Sequence, residues 1–322
     1  MNPSRRIVHL SVFVLLMSGG FTSAAADPAV SARPAAMAEQ ALLLGATRAG
    51  SRIVAVGEHG VIILSDDEGR HWRQATRVPT ITTLTAIAFV DAAHGWAVGH
   101  GAQILATGDS GETWDLQAGK ITSEDSLFSV WFRDREHGLA VGPYGYAVTT
   151  QDGGRRWQRI HLAEGDDAER HLNGILADTA GTVCVAAEAG HVFVSTDGGA
   201  TWQVRNVPYN GSLWGGLARH DGSLVLWGMA GHAFLSLDHG ATWTALATNS
   251  TQSFTAGAER PDGSLVLVGL GGNVSYSDRA LNFKAITRET RQLATAVVPA
   301  PDHILIFGQG GIARLSWPPR AE

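Results

Sequence analysis

An eight-residue pattern, Ser/Thr-x-Asp-x-Gly-x-x-Trp, returns along this chain at a nearly constant interval, and that interval limits the fold more than any other feature. The copies are SDDEGRHW at Ser65–Trp72, TGDSGETW at Thr107–Trp114, TQDGGRRW at Thr150–Trp157, STDGGATW at Ser195–Trp202 and SLDHGATW at Ser236–Trp243. A sixth, YSDRALNF at Tyr276–Phe283, keeps Asp278 and replaces Trp by Phe. The aromatic positions are 72, 114, 157, 202, 243 and 283, so the steps are 42, 43, 45, 41 and 40 residues. A second motif precedes each copy at a near-fixed offset. It reads AVGEHG from Ala55, AVGHGA from Ala97, AVGPYG from Ala140, AAEAG from Ala186, WGMAG from Trp227, VGLGG from Val268 and FGQGG from Phe307, seven copies in all.

A fixed period of this length means one supersecondary unit repeated. The second repeat reads LTAIAFVD, HGWAVG, AQILAT and ETWDLQ, four short apolar stretches parted by turns at Ala92–His94, His100–Gly101 and Asp109–Gly111. No stretch after residue 45 has a helical period. The pattern predicts an all-β chain, a seven-bladed β-propeller of four-stranded antiparallel blades over residues 39–318. The Ala-Val-Gly motif then turns strand two into strand three, and the Asp motif turns strand three into strand four. The seventh repeat stops after its third strand, at Leu315-Ser316-Trp317 before Pro318-Pro319. An open blade exposes a strand edge. Residues 27–38 are therefore expected to close the ring, with Pro28–Ala38 as the missing outer strand, despite a composition poor for strands.

Each residue of the Asp motif has a structural job in a hairpin. Asp67, Asp109, Asp152, Asp197, Asp238 and Asp278 can accept turn N–H groups. The Ser or Thr hydroxyl adds a local bond, and Gly permits a positive φ. Trp72, Trp114, Trp157, Trp202 and Trp243 can open strand four and pack across the hairpin. A catalytic site needs such a cluster once. The repetition predicts architecture, with no catalytic residue.

The remaining composition narrows the function classes. Hydrophobic residues are 44% and charged ones 17%, enough for a large core. The net charge is −6 with no Lys/Arg-rich run, which argues against a nucleic-acid partner. No phosphate-cradling loop is present, since Gly271-Gly272 and Gly310-Gly311 read as blade turns, so no cofactor is expected. His59 and His100 occupy equivalent turns without a carboxylate partner, and no metal is expected there. Tyr144 and Glu188 hold the matching turns of blades three and four.

Residues 1–26 read as a signal peptide: Arg5 and Arg6, an apolar Ile7–Met17, then Ala24-Ala25-Ala26 before Asp27. That apolar run is short for a bilayer span, so no transmembrane segment is expected in the mature chain. Ser4-Arg5-Arg6 also fits a twin-arginine route loosely. Removing two arginines leaves 22 basic and 30 acidic residues, or −8. The expected location is the periplasm or the extracellular side, and the expected state a monomer. Cys184 is the single cysteine, so no intramolecular disulfide can form. It lies in the apolar run Thr182–Ala187 and reads as a buried, inert thiol.

With both motifs in register, residues 40–317 resemble the photosystem II stability and assembly factor family of Asp-box (BNR) propellers and its bacterial relatives. The resemblance implies an exported, non-catalytic protein that assists assembly of a membrane complex, with a subunit of that complex as its protein partner. No residue indicates a photosynthetic host. The Asp-box is shared with sialidases, so a carbohydrate-active propeller is the principal alternative. Its chemistry needs two positioned carboxylates, and the resemblance would further require three arginines and an Arg-Ile-Pro element before the first box. Here Arg77-Val78-Pro79 follows that box. An accessory protein of an envelope transport system is a third possibility.

Strand alternation puts the two–three turns and the blade-to-blade links on one face and the Asp motifs on the other. Loops on a rigid scaffold carry function, so the first face is the expected binding surface. Arg73, Arg77, Arg288 and Arg291 are expected to form a basic sector there for partner capture, opposite the acidic stretch Glu164–Glu169.

Overall fold

The computed structural model describes residues 31–117 and 126–319. The signal segment and residues 27–30 of the expected closing strand lie outside them. Blade one runs through Leu43–Ala49, Arg52–Gly57, Ile62–Ser65 and Arg73–Gln74, hydrogen-bonded in chain order and antiparallel throughout. Five more sheets repeat this arrangement with four strands each. The seventh has three among the described residues: Ala294–Pro299, His303–Gly308 and Gly311–Ser316. The chain is a seven-bladed β-propeller, and no α-helix occurs among the described residues.

The second strand of each blade is sandwiched between neighbouring blades, which explains its unbroken apolar reading. Val183–Ala187, Leu224–Gly228 and Leu265–Gly269 are buried at every position. Blade-to-blade packing divides the core into seven clusters, one at each interface around the ring. The box aromatic belongs to these interfaces. Trp114 of blade two, fully buried, packs with Val54 and Leu64 of blade one.

The glycine of the Ala-Val-Gly motif answers a close approach. A Cβ at Gly57 would stand 2.0 Å from the Leu42 carbonyl, and one at Gly99 2.2 Å from the Thr83 carbonyl. At these two positions glycine lets the turn sit against the incoming link, and in blade four Ala187 holds the equivalent place.

The ring closes by packing across blades one and seven. Leu43, Ile53, Ala55 and Ile63 meet Ala296, Val298, Leu305 and Phe307, and Trp72 stands edge-on to Phe307 at 5.8 Å. The Arg48 guanidinium donates to the Pro299 carbonyl at 2.8 Å. The described part of the expected closing strand does something else. Residues 31–38 form no strand, and they lie along blade one: Ala32 N–H donates to the Val78 carbonyl at 2.9 Å, and Ala35 N–H to Gln74 Oε1 at 2.8 Å. Only Ala38–Gln40, a short 3-10 turn, reaches the start of Gly311–Ser316. The reason is chemical: Pro34 has no N–H for a ladder, and Ser31–Ala38 contains no β-branched residue.

Candidate functional site

The Asp motifs build one clasp repeatedly. At Ser195–Trp202 the Ser195 hydroxyl donates to Asp197 Oδ1 (2.7 Å) and accepts from Gly199 N–H (2.8 Å). Asp197 accepts the Thr201 N–H (2.9 Å) and the Thr201 hydroxyl (2.6 Å), and the Trp202 indole N–H donates to the Gly199 carbonyl (3.1 Å). Gly199 has φ +97, where a side chain would strain the turn. Asp67, Asp109, Asp152 and Asp238 make the same backbone contact four residues on, to His71, Thr113, Arg156 and Thr242. Asp278 keeps it with Asn282 at 3.0 Å although its repeat has lost Trp. The bonds hold these carboxyls below the usual range. For Asp197 the Thr201 hydroxyl contributes most, followed by the Thr201 N–H, and the pKa falls to about 2. The indole contact is less regular: the ring nitrogens of Trp157 and Trp243 are buried without a partner.

Sequence reasoning missed a second polar ring on this face, in the turns between strands one and two. Asp91 caps Ala93 and His94, and Asp134 caps Glu136 and His137. In blades five and six, buried Arg219 and Arg260 span to the next blade. Arg219 donates to the carbonyls of Gly263 and Arg279, both at 3.1 Å. Arg260 donates to Ala300 (2.9 Å) and Pro301 (3.0 Å), with the Trp317 ring 4.3 Å from its guanidinium. A signal for the pair exists in the sequence, as RHDGSLVL from Arg219 and RPDGSLVL from Arg260.

The four arginines expected to form one basic sector do not come together. Arg73 donates to Glu112 at 2.7 Å, and Arg77 to Asp115 at 2.7 Å, beside the Asp motif of blade two. Each already has an acid partner, and they flank the Asp-motif face. Arg288 and Arg291 sit in the link from blade six to seven, on the other face. Arg288 is 8% exposed and donates to the Gln292 carbonyl, while Arg291 is exposed. The sequence reading placed all four in links, but Arg73 belongs to strand four, where a side chain reaches the neighbouring blade's acids.

On the face opposite the Asp motifs, five of the seven two–three turns are short 3-10 turns, those of blades three and seven being plain turns. Their acids have local work: Glu58 accepts the Leu42 N–H (3.0 Å), and Glu188 the His171 N–H (3.1 Å). His59 and His100 are exposed in their own turns. Among the described residues, no group of three or more His, Cys, Asp or Glu could hold a metal. The acidic stretch forms a 3-10 turn, Gly165–Glu169, in which Asp167 meets Arg170 and His191. Exposed apolar side chains on this face are Tyr144 (67%), Met229 (40%) and Leu270 (37%) at the turns, with Phe128 entering the first strand of blade three, while Leu237 (79%) is exposed on the Asp-motif face. Cys184 is fully buried, and burial pushes its thiol up to about 12, which removes it as a nucleophile at neutral pH.

The fold and these sites define a class: an Asp-box β-propeller whose repeated polar residues brace its hairpins and blade contacts, leaving an apolar-dotted face opposite. The family described as Photosynthesis system II assembly factor YCF48 matches residues 74–302, and the chain belongs to it. A solved structure described as YCF48 bound to D1 peptide is 20% identical with a TM-score of 0.69, covering 85% of this chain and 93% of its own. YCF48 from Cyanidioschyzon merolae is 12% identical with a TM-score of 0.67, covering 85% and 95%. The fold is shared more widely: a virginiamycin B lyase from Staphylococcus aureus is 8% identical with a TM-score of 0.71, covering 88% and 97%. No curated protein matches the sequence. Among the described residues no helix is long and apolar enough to cross a membrane.

Proposed function

We propose that this propeller is a non-catalytic assembly factor, exported to the periplasmic or extracellular side, that holds a segment of a membrane-associated protein complex. The family match over residues 74–302 carries the reading, and a relative of the same fold was solved with a D1 peptide bound. The repeated carboxylates are occupied by their own turns, which supports a binding role over hydrolysis. Tyr144, Met229 and Leu270 supply an apolar contact surface on the face away from the clasps. Pull-down and crosslinking from envelope fractions test this. The expected result is capture of a membrane-complex subunit by the parent and its loss in Met229→Glu/Leu270→Glu. N-terminal sequencing of the exported protein should begin at Asp27. A cytoplasmic, unprocessed chain that captures no membrane protein would overturn the reading.

A further inference from the structure

Six blades carry a fourth strand outside their third, and among the described residues blade seven carries none. Among the described residues its third strand, Gly311–Ser316, is an open sheet edge. The pairing fixes which backbone groups face outward. Trp317 N–H donates inward to the Asp302 carbonyl at 3.0 Å, and Leu315, Ala313 and Gly311 pair with Ile304, Ile306 and Gly308. Alternation along an antiparallel ladder then turns the N–H and C=O groups of Ile312 and Arg314 away from the sheet. The sister blades show what belongs there. Ile62, Ile104 and Ala233 hold the register of Ile312, pairing with Val56, Val98 and Trp227 as it pairs with Phe307. Their carbonyls accept from the fourth-strand N–H groups of Ala75, Gln117 and Leu246, each at 2.9 Å.

The described parts of the chain do not fill the gap. Traced back from Glu39 beside Gly311, the N-terminal stretch passes Ala35 at Gln74 and Ala32 at Val78, and so moves away across blade one. On the other side, Pro318 and Pro319 have no N–H to give. Natural edges are usually blunted by proline, bulges or lysine. This one keeps an unshifted register over six residues, with Arg314 its single charge. Beside its end lies a cleft of about 290 Å3 lined by Tyr276, Lys284, Trp317 and Pro318.

We propose that the outer edge of Gly311–Ser316 receives an extended segment of the partner protein, which adds there as the fourth strand of blade seven. The mode is strand addition, in which main-chain bonds give affinity and pockets for alternate side chains give preference. The sister strands span two to five residues, and those of blades four and six turn Val204 or Phe283 inward. The ligand is therefore a short extended stretch with aliphatic or aromatic residues on one side, one of them directed to the Tyr276–Trp317 cleft. This mode rests on the protein-binding reading above and adds to its apolar face a second contact, at the rim of blade seven.

Arg314→Pro tests it, because the substitution removes an outward N–H and no inward one, whereas Arg314→Ala removes only the side chain. The probe is a synthetic peptide TWQVRNV, the blade-four sequence Thr201–Val207. We expect the Ile312 and Arg314 amides to exchange rapidly in the free protein and at least tenfold more slowly with peptide. Peptide affinity should survive in Arg314→Ala and fall at least tenfold in Arg314→Pro. Should Arg314→Pro fail to fold, a peptide N-methylated at alternate residues replaces it, and it should bind the parent at least tenfold more weakly. Equal binding by all variants would overturn the proposal, as would amides already protected in the free monomer or a dimer that Arg314→Pro dissociates. Capture of a membrane protein equally by Arg314→Pro would overturn the edge mode alone. Peptide binding with no envelope partner would overturn the assembly role alone.

Discussion

The hydroxyl of Thr295, in the first strand of blade seven, donates to the carbonyl of Leu43, in the first strand of blade one, at 2.5 Å. The same relationship recurs inside the ring, from Thr85 to Leu127, Asn173 to Leu213 and Thr255 to Ala294. The seam thus uses the bond that joins other neighbouring blades, and it needs no shared strand. Thr295→Val keeps the shape and leaves the buried Leu43 carbonyl without that donor. The expected cost is about 1–3 kcal/mol in denaturant unfolding. An unchanged midpoint and slope would show that packing alone closes the ring.

Much of this architecture is legible in the sequence because it is local and repeated. The Asp197 clasp spans eight residues, so its spacing alone displays it. What the sequence hid depends on residues far apart in the chain. Arg73 meets Glu112 through the contact of two blades, so a charge that read as free in the sequence is already paired. The path of Ser31–Ala38 was equally hidden, since Gln74 and Val78 decide it from the next blade. Arg219 and Arg260 were readable as a repeat, but their cross-blade targets were not.

Trp114 should be the most costly box tryptophan to remove. It is fully buried, donates its indole N–H to the Gly111 carbonyl at 3.0 Å and stands edge-on to Phe89 at 6.2 Å. Trp114→Ala opens a cavity between blades one and two and is expected to cost about 3–5 kcal/mol. The half-buried Trp72, at the seam, should cost less. Thermal unfolding of the two variants side by side checks the ranking, and a larger loss at Trp72 would refute it.

Arg260 ties blade six to the end of the chain. Its guanidinium holds two carbonyls of blade seven and stacks on Trp317, and burial pushes its pKa down. Arg260→Met preserves the stem while abandoning both carbonyls. Bonds to a charged donor are worth about 1.5–3 kcal/mol, and a loss in that range is expected. Fluorescence of Trp317 should shift as its cationic neighbour disappears. A stable variant with unaltered emission would contradict the assigned contact.

Acid should undo the clasps in a defined window. Asp197 and Asp238 are held below their ordinary values chiefly by the hydroxyls of Thr201 and Thr242, with the N–H groups of the same residues next. A carboxyl whose folded pKa lies below its unfolded value of about 3.9 takes up its proton first in the unfolded chain. Its contribution is complete above that value and disappears as pH falls through the folded one, about 2 for Asp197. Stability should therefore be level from neutral pH to about 5 and drop steeply between about 4 and 2. Asp197→Asn cannot titrate, so it should lower the melting temperature at pH 7 and flatten the decline between pH 4 and 2. Melting curves of parent and variant across that range decide it. Parallel curves would mean that the Asp197 bonds add nothing to stability, and the clasp would be geometry without energetic weight.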